Sequence, residues 1–158
     1  MTHQYFADGF FVGRKLRHSR TICIFKNYME TILIVQLTGA LFGLLAVVFG
    51  AFGAHALKKS LSEAQLKSFE TGVKYQMYHA LLLLILGFNL GFSTVLEKNM
   101  AYCIILGTFL FSFSIYGLSI TASKGKSLKF LGPITPLGGL LLILGWGLLF
   151  YSFIANMV

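Results

Sequence analysis

The stretch TILIVQLTGALFGLLAVVFGAFGAHAL, Thr31 to Leu57, contains no Asp, Glu, Lys or Arg, and its reading decides the fold. A bilayer core about 30 Å thick is crossed by about 20 apolar helical residues, so this run is long enough. A helix of a soluble bundle would show one polar face, and this run has none. The same absence of charge holds from Gln76 to Leu96, from Asn99 to Ser123 and from Phe130 to Val158.

The composition agrees. Charged residues are 11% of the chain, against about 25% in soluble domains, and the mean hydropathy is +0.78. The expected fold is all-α: an integral membrane bundle of four transmembrane helices. The spans are placed at about 32–54, 77–91, 101–119 and 136–154. The second is the weakest, because Asn89 and Ser93 interrupt it and Glu97 follows. Short connections predict antiparallel neighbours.

Between the first two spans lies SLSEAQLKSFETGVKYQ, Ser60 to Gln76. Ser62 and Gln65 form a capping-box signature, with Leu61 and Leu66 placed as its hydrophobic staple. Leu66, Phe69 and Val73 repeat at spacings of three and four, with Lys67, Glu70 and Lys74 off that face. The pattern predicts a short amphipathic helix at the bilayer surface; the alternative is a solvated helical linker. The only prolines are Pro133 and Pro136. Thr135 followed by Pro136 predicts that the fourth helix begins at Pro136.

The connections at one end carry Lys58, Lys59, Lys67, Lys74, Lys124, Lys126 and Lys129, and the other end carries Lys98. The positive-inside rule then places loops 58–74 and 124–129 in the cytoplasm and both termini outside, in a multi-pass protein of the plasma (inner) membrane. Arg14, Lys15, Arg17, Arg20 and Lys26 spoil that asymmetry. No apolar run of signal-peptide length follows them before the first span. Residues 1–28 are therefore read as a non-native or disordered extension preceding a membrane domain of 29–158 that starts at Met29. The rival readings are a basic arm and an arginine-rich targeting peptide.

The formal charge of +8 falls to +4 from Met29 onward, where eight Lys or Arg face four acids. Attraction to anionic headgroups accounts for it, and no stripe or fold argues for nucleic acid. Cys23 and Cys103 imply no disulfide framework.

In the first span Gly39, Gly43, Ala46, Gly50 and Gly53 recur at spacings of four, three, four and three. Small residues let helices approach closely in lipid, so this seam is read as a packing surface, with Gly138 and Gly145 in the fourth span. No phosphate-binding glycine motif is present.

His55 ends the first span, and His79 lies near the start of the second on the same side, with Tyr75, Tyr78 and Glu70 close in sequence. If the two helices pack antiparallel, the rings lie at similar depth. His55, Tyr75, Tyr78 and His79 form the candidate functional cluster. Three readings stay open: anchoring rings at the headgroup level, a structural hydrogen bond between the spans and the surface helix, and a haem, metal or quinone site on His55 and His79. No metal-ligand cluster, paired carboxylates or nucleophile with a base is seen, so no catalytic residue is named and no cofactor is expected.

The segments GAFGAHALKKSLSEAQLKSFETGVKYQMYHALLLL, FSFSIYGLSI and GPITPLGGLLLILGW resemble domain-of-unknown-function family 423, small bacterial membrane proteins whose eukaryotic relatives are called transmembrane protein 256. The resemblance runs from about Thr31 to Phe153. It implies a four-span plasma-membrane protein without an assigned activity. The positions it marks for testing are Gly50, Phe52, Gly53, His55, Phe69, Tyr75, Tyr78, His79, Ser112, Ser114, Tyr116, Thr135, Pro136, Gly138, Gly139 and Trp146. The function expected first is a non-enzymatic component of the bilayer that packs with itself or with a membrane-protein partner. A small-solute or ion transporter is the alternative, although coupled transport generally uses an ionisable residue inside the membrane and the spans hold no Asp, Glu, Lys or Arg. A membrane enzyme comes third.

Overall fold

The computed structural model describes residues 29–53, 55–123 and 129–155. The expectation for residues 1–28 lies outside them. Among the described residues the architecture is all-helical: α1 (Met29–Gly53), α2 (Glu63–Asn89), α3 (Val95–Ser123) and α4 (Ile134–Ala155). Three of these, α1, α3 and α4, are long and apolar enough to cross a membrane. Short 3-10 turns at Leu57–Lys59 and Lys129–Leu131 lie in two of the connections.

Helix α2 corrects one expectation. The surface helix and the second span are not separate pieces but a single helix of 27 residues. A helix ends where a proline, a cap or a left-handed residue stops it, and Lys74, Tyr75, Gln76 and Met77 supply none of these. The buried stripe of Phe69, Gly72, Gln76, His79, Ala80, Leu83 and Leu86 runs unbroken through the expected junction. The start of α2 is as expected: the Ser62 amide donates to Gln65 Oε1 at 2.8 Å, and the Gln65 amide donates to Ser62 Oγ at 3.4 Å. Leu61 and Leu66 share one apolar cluster with Phe69 and Tyr116.

Helix α4 begins at Ile134, two residues before the expected start. The first amides of a helix have no intrahelical acceptor, so Pro136 fits in the first turn without losing a bond. The Leu137 amide donates to the Pro133 carbonyl at 3.3 Å.

Backbone contacts set the register. A Cβ on Gly53 would lie 3.1 Å from the Phe69 ring, and one on Gly43 would lie 3.9 Å from Ala80 Cβ, so α1 and α2 are antiparallel. Gly72 faces Tyr116 and Gly145 faces Ile104. The helices therefore run up and down in sequence. The end of α1, the start of α2, the end of α3 and the start of α4 gather at one end. The main core joins all four helices through Val35, Phe42, Ala80, Leu83, Ile104 and Leu149.

Phe92 closes the opposite end. It is fully buried with φ of 50°, a left-handed conformation that costs a non-glycine residue about 1–3 kcal/mol and persists only where the surroundings fix it. The next helix starts just beyond. Glu97 Oε2 accepts from the Ser93 amide at 2.7 Å, and the Glu97 amide donates to Thr94 Oγ1 at 3.2 Å.

Candidate functional site

Polar side chains inside an apolar bundle need partners, because an unmade buried hydrogen bond costs more than a made one contributes. Gln76 shows how this is met. It sits on the buried stripe of α2, fully enclosed, and its Nε2 donates to the Phe42 carbonyl of α1 at 2.9 Å. Its Oε1 accepts from the Tyr116 hydroxyl of α3 at 2.8 Å. One amide thus ties three helices. Gln36 Nε2 donates to the Gly87 carbonyl at 2.9 Å, and Ser114 Oγ and Thr135 Oγ1 pair across α3 and α4 at 2.7 Å. Ser112 Oγ is the buried side-chain atom among the described residues that has no partner.

His79 belongs to this interior. Its side chain is 6% exposed. Nδ1 lies 2.7 Å from the Tyr75 carbonyl, which can only accept, so Nδ1 carries the proton. Nε2 then accepts from the Trp146 indole N–H of α4 at 3.2 Å. Tyr75 stacks beside the imidazole with ring centroids 6.0 Å apart and lies against Phe111 at 4.8 Å. With both nitrogens engaged, this tautomer leaves no lone pair toward a metal.

The expected cluster is only partly assembled. Tyr75, Tyr78 and His79 are neighbours, but His55 is exposed beyond the end of α1. Gly53 faces Phe69 and Gly43 faces Ala80, so the two histidines are separated along the bundle by about ten residues, about 15 Å. They are not at one depth, and Glu70 is exposed. His79 is instead level with Gly43, two residues past the middle of α1, and its partner Trp146 is near the middle of α4. Among the described residues no group of three or more His, Cys, Asp or Glu is placed to hold a metal ion.

The glycines lie where backbones approach. Gly39, Gly50 and Gly53 face α2, and Ala46 is 1% exposed. A Cβ on Gly138 would collide with the Phe111 amide nitrogen, and one on Gly145 would lie 2.7 Å from the Ile104 side chain. Gly107 belongs to the same contact, 2.9 Å from the Leu142 amide by the same construction. Of the other marked positions, Phe52 and Trp146 are largely exposed, whereas Phe69, Ser112, Ser114 and Tyr116 are buried.

Among the described residues, clefts open at the end of the bundle that holds the start of α2. One, of about 410 Å³, runs between α2 and α3 and is lined by Gln65, Ser68, Thr71, Ile115, Ser119 and Thr135 among others. The second, of about 600 Å³, is charged, lined by Lys58, Lys67 and Lys74 with Glu63 and Glu70.

Gln76 was missed by sequence reasoning, and so was the His79–Trp146 bond. A signal for the first exists, since Gln76 continues the 66, 69, 73 stripe and is an amide on an apolar face. The second joins residues 67 apart in sequence and leaves no periodic trace.

Comparison with known proteins matches residues 49–139 to a family described as protein of unknown function, DUF423. A UPF0382 membrane protein of Staphylococcus haemolyticus is 41% identical over 114 residues, covering 72% of this chain and 89% of the relative. One from Staphylococcus aureus is 43% identical over 108 residues, covering 68% and 84%. The UPF0382 membrane protein YwdK of Bacillus subtilis is 41% identical over 112 residues, covering 68% and 85%. No solved structure matches.

Proposed function

Because the chain belongs to the DUF423 family of membrane proteins, we propose that it is a four-span, non-enzymatic component of the plasma membrane that packs with itself or with a membrane-protein partner. The observation that carries this reading is the Gln76 node. Its bonds to α1 and α3, with Ser114 to Thr135, direct the interior polar groups at neighbouring helices and not at an open path. Helix α2 supplies the second span, beside α1, α3 and α4. Its 27 residues extend about 40 Å, so the charged first turns protrude beyond a core of about 30 Å and Lys74 reaches the headgroups along its stem. The excess of lysines supports a cytoplasmic position for the end bearing loops 58–74 and 124–129, with both termini outside.

The test is thiol accessibility in proteoliposomes. Cysteines at Thr108 and Ser112, in a chain carrying Cys23→Ser and Cys103→Ser, should stay unmodified by a membrane-impermeant reagent added to either side. Chemical cross-linking in the native membrane should at the same time give a discrete homo-oligomer or hetero-complex. Labelling that depends on an added solute or ion gradient would overturn the packing role in favour of transport. That second reading, a small-solute or ion transporter, gains support from one observation: an ionisable side chain, His79, at the middle of the bundle.

A further inference from the structure

The histidine at the centre of the bundle is unusual for what surrounds it. No Asp, Glu, Lys or Arg occurs on α1 from Thr31 to Gly53, on α2 from Gln76 to Asn89, on α3 from Asn99 to Ser123, or anywhere on α4. The titratable groups near it are Tyr75 and Tyr78 on its own helix and Cys103 on α3. Cys103 packs beside Gly145, the residue before Trp146. The nearest formal charge on α2 is Lys74, which lines the charged cleft with Glu70. His79 is therefore the one side chain at this depth that becomes a cation by binding a proton.

Its surroundings suit a proton better than a metal. The neutral ring uses Nδ1–H on the Tyr75 carbonyl and the Nε2 lone pair on the Trp146 indole. A proton taken from water onto Nε2 turns that acceptor into a donor facing a donor, and the Trp146 bond breaks. The cation keeps its Nδ1 bond and lies beside the face of Tyr75, which attracts cations, while the indole of Trp146 meets the imidazole edge-on. The uncharged cleft lies along the same line. Ser68 and Thr71 line it, and Tyr75 and His79 follow them at spacings of four and four from Thr71, one helical stripe. Thr135, paired with Ser114, lines its opposite wall. From Thr71 to His79 is about 12 Å, bridged by the Tyr75 ring on Phe111.

We propose that His79 is a proton-binding site at the midplane of the bundle, approached from the cleft between α2 and α3, whose occupancy switches the hydrogen bond to Trp146 and with it the seating of α4. It rests on the four-span reading above and deepens the transport alternative.

Trp146 is the only tryptophan, so it reports on this bond without ambiguity. The full chain would be reconstituted in phosphatidylcholine and phosphatidylglycerol vesicles. Its emission would be followed from about pH 8 to about pH 4, a window that brackets the ordinary histidine value. The expected result is a single-step loss of intensity, since imidazolium beside indole quenches. That step should vanish in His79→Gln and persist in His55→Gln. In the unaltered protein, the one indole proton should move upfield in the NMR spectrum over the same interval, which keeps the test valid if His79→Gln fails to fold. An emission or an indole shift that does not change with pH, or a step that survives His79→Gln, overturns the proposal. Brominated lipids test the premise separately. Quenching of Trp146 strongest with bromine deep in the acyl chain supports the midplane. Quenching strongest near the headgroups overturns that placement, whatever the pH titration shows.

Discussion

Gln76 is hydrogen-bonded to two other helices at once, so substitutions there separate bonding from packing. Gln76→Leu keeps much of the volume but strips the Tyr116 hydroxyl of its acceptor inside a buried aromatic cluster with Phe69 and Phe49. An unpartnered buried hydroxyl costs about 1–3 kcal/mol, and thermal unfolding in mild detergent should show a loss of that order. Tyr116→Phe removes the donor with its oxygen and leaves only Gln76 Oε1 unpaired. Interhelical bonds in membrane proteins contribute about 0.6 kcal/mol on average, so the smaller loss belongs to Tyr116→Phe. Equal losses would show that the aromatic packing, and not the hydrogen bond, holds this point. The role of Gln76 is invisible to a reading that sorts residues into apolar spans and polar loops. Its amide looks like one polar interruption among Asn89, Ser93 and Gln36. Only the register that sets residue 76 opposite residues 42 and 116 gives it meaning, and register depends on contacts 34 and 40 residues apart.

At the scale of elements, glycines and caps decide how helices meet and where they start. Gly138 meets the backbone of α3 at Phe111, so a methyl group there has no flexible atom to push aside. Gly138→Ala should force α3 and α4 apart and cost about 1–3 kcal/mol, the range for overpacking. Gly147, with nothing within 4 Å of its would-be Cβ, is the matched control: Gly147→Ala should be neutral or gain up to about 1 kcal/mol from helix propensity. A loss at both positions would mean that the exposed side of α4 is itself covered in the membrane. Ser62→Ala tests the start of α2. It removes the hydroxyl that caps Gln65 and should cost about 1 kcal/mol, measured as earlier exchange of the amides in the first turn. Capping was legible because it is local, written in residues three apart. The extent of α2 was not. A change from charged to apolar composition at Gln76 looks like the edge of an element, yet it marks a change of surroundings along one uninterrupted helix. Pro136 misled for a related reason, since a proline is tolerated throughout the first turn and so fixes the start of a helix only to within that turn.

For the whole molecule, the up-and-down order and the clustering of lysines make one joint prediction about sidedness. The end that gathers the 3-10 turn Leu57–Lys59, the capped start of α2 and the end of α3 carries Lys58, Lys59, Lys67 and Lys74, while Lys98 stands at the other end. This part of the architecture was readable in advance because hydropathy and charge asymmetry are properties of long windows and survive errors of several residues in helix bounds. The depth of a single side chain does not survive them. His79 was expected near the headgroups, and the antiparallel register of Gly53 with Phe69 and Gly43 with Ala80 moves it to the centre. Sidedness and depth can be tested together on intact cells with single cysteines in a chain carrying Cys23→Ser and Cys103→Ser. Ser60→Cys, exposed beside the turn, should resist an impermeant maleimide until the membrane is permeabilised, whereas Ser93→Cys, exposed in the α2–α3 connection, should react at once. The reverse pattern would turn the bundle over and place the cleft above His79 on the outer face. Reaction at both positions in intact cells would mean that α2 does not cross, leaving three spans, the number long and apolar enough by themselves. His79 would then sit in a helix held against the bundle from one side, where water reaches it without any route through the interior.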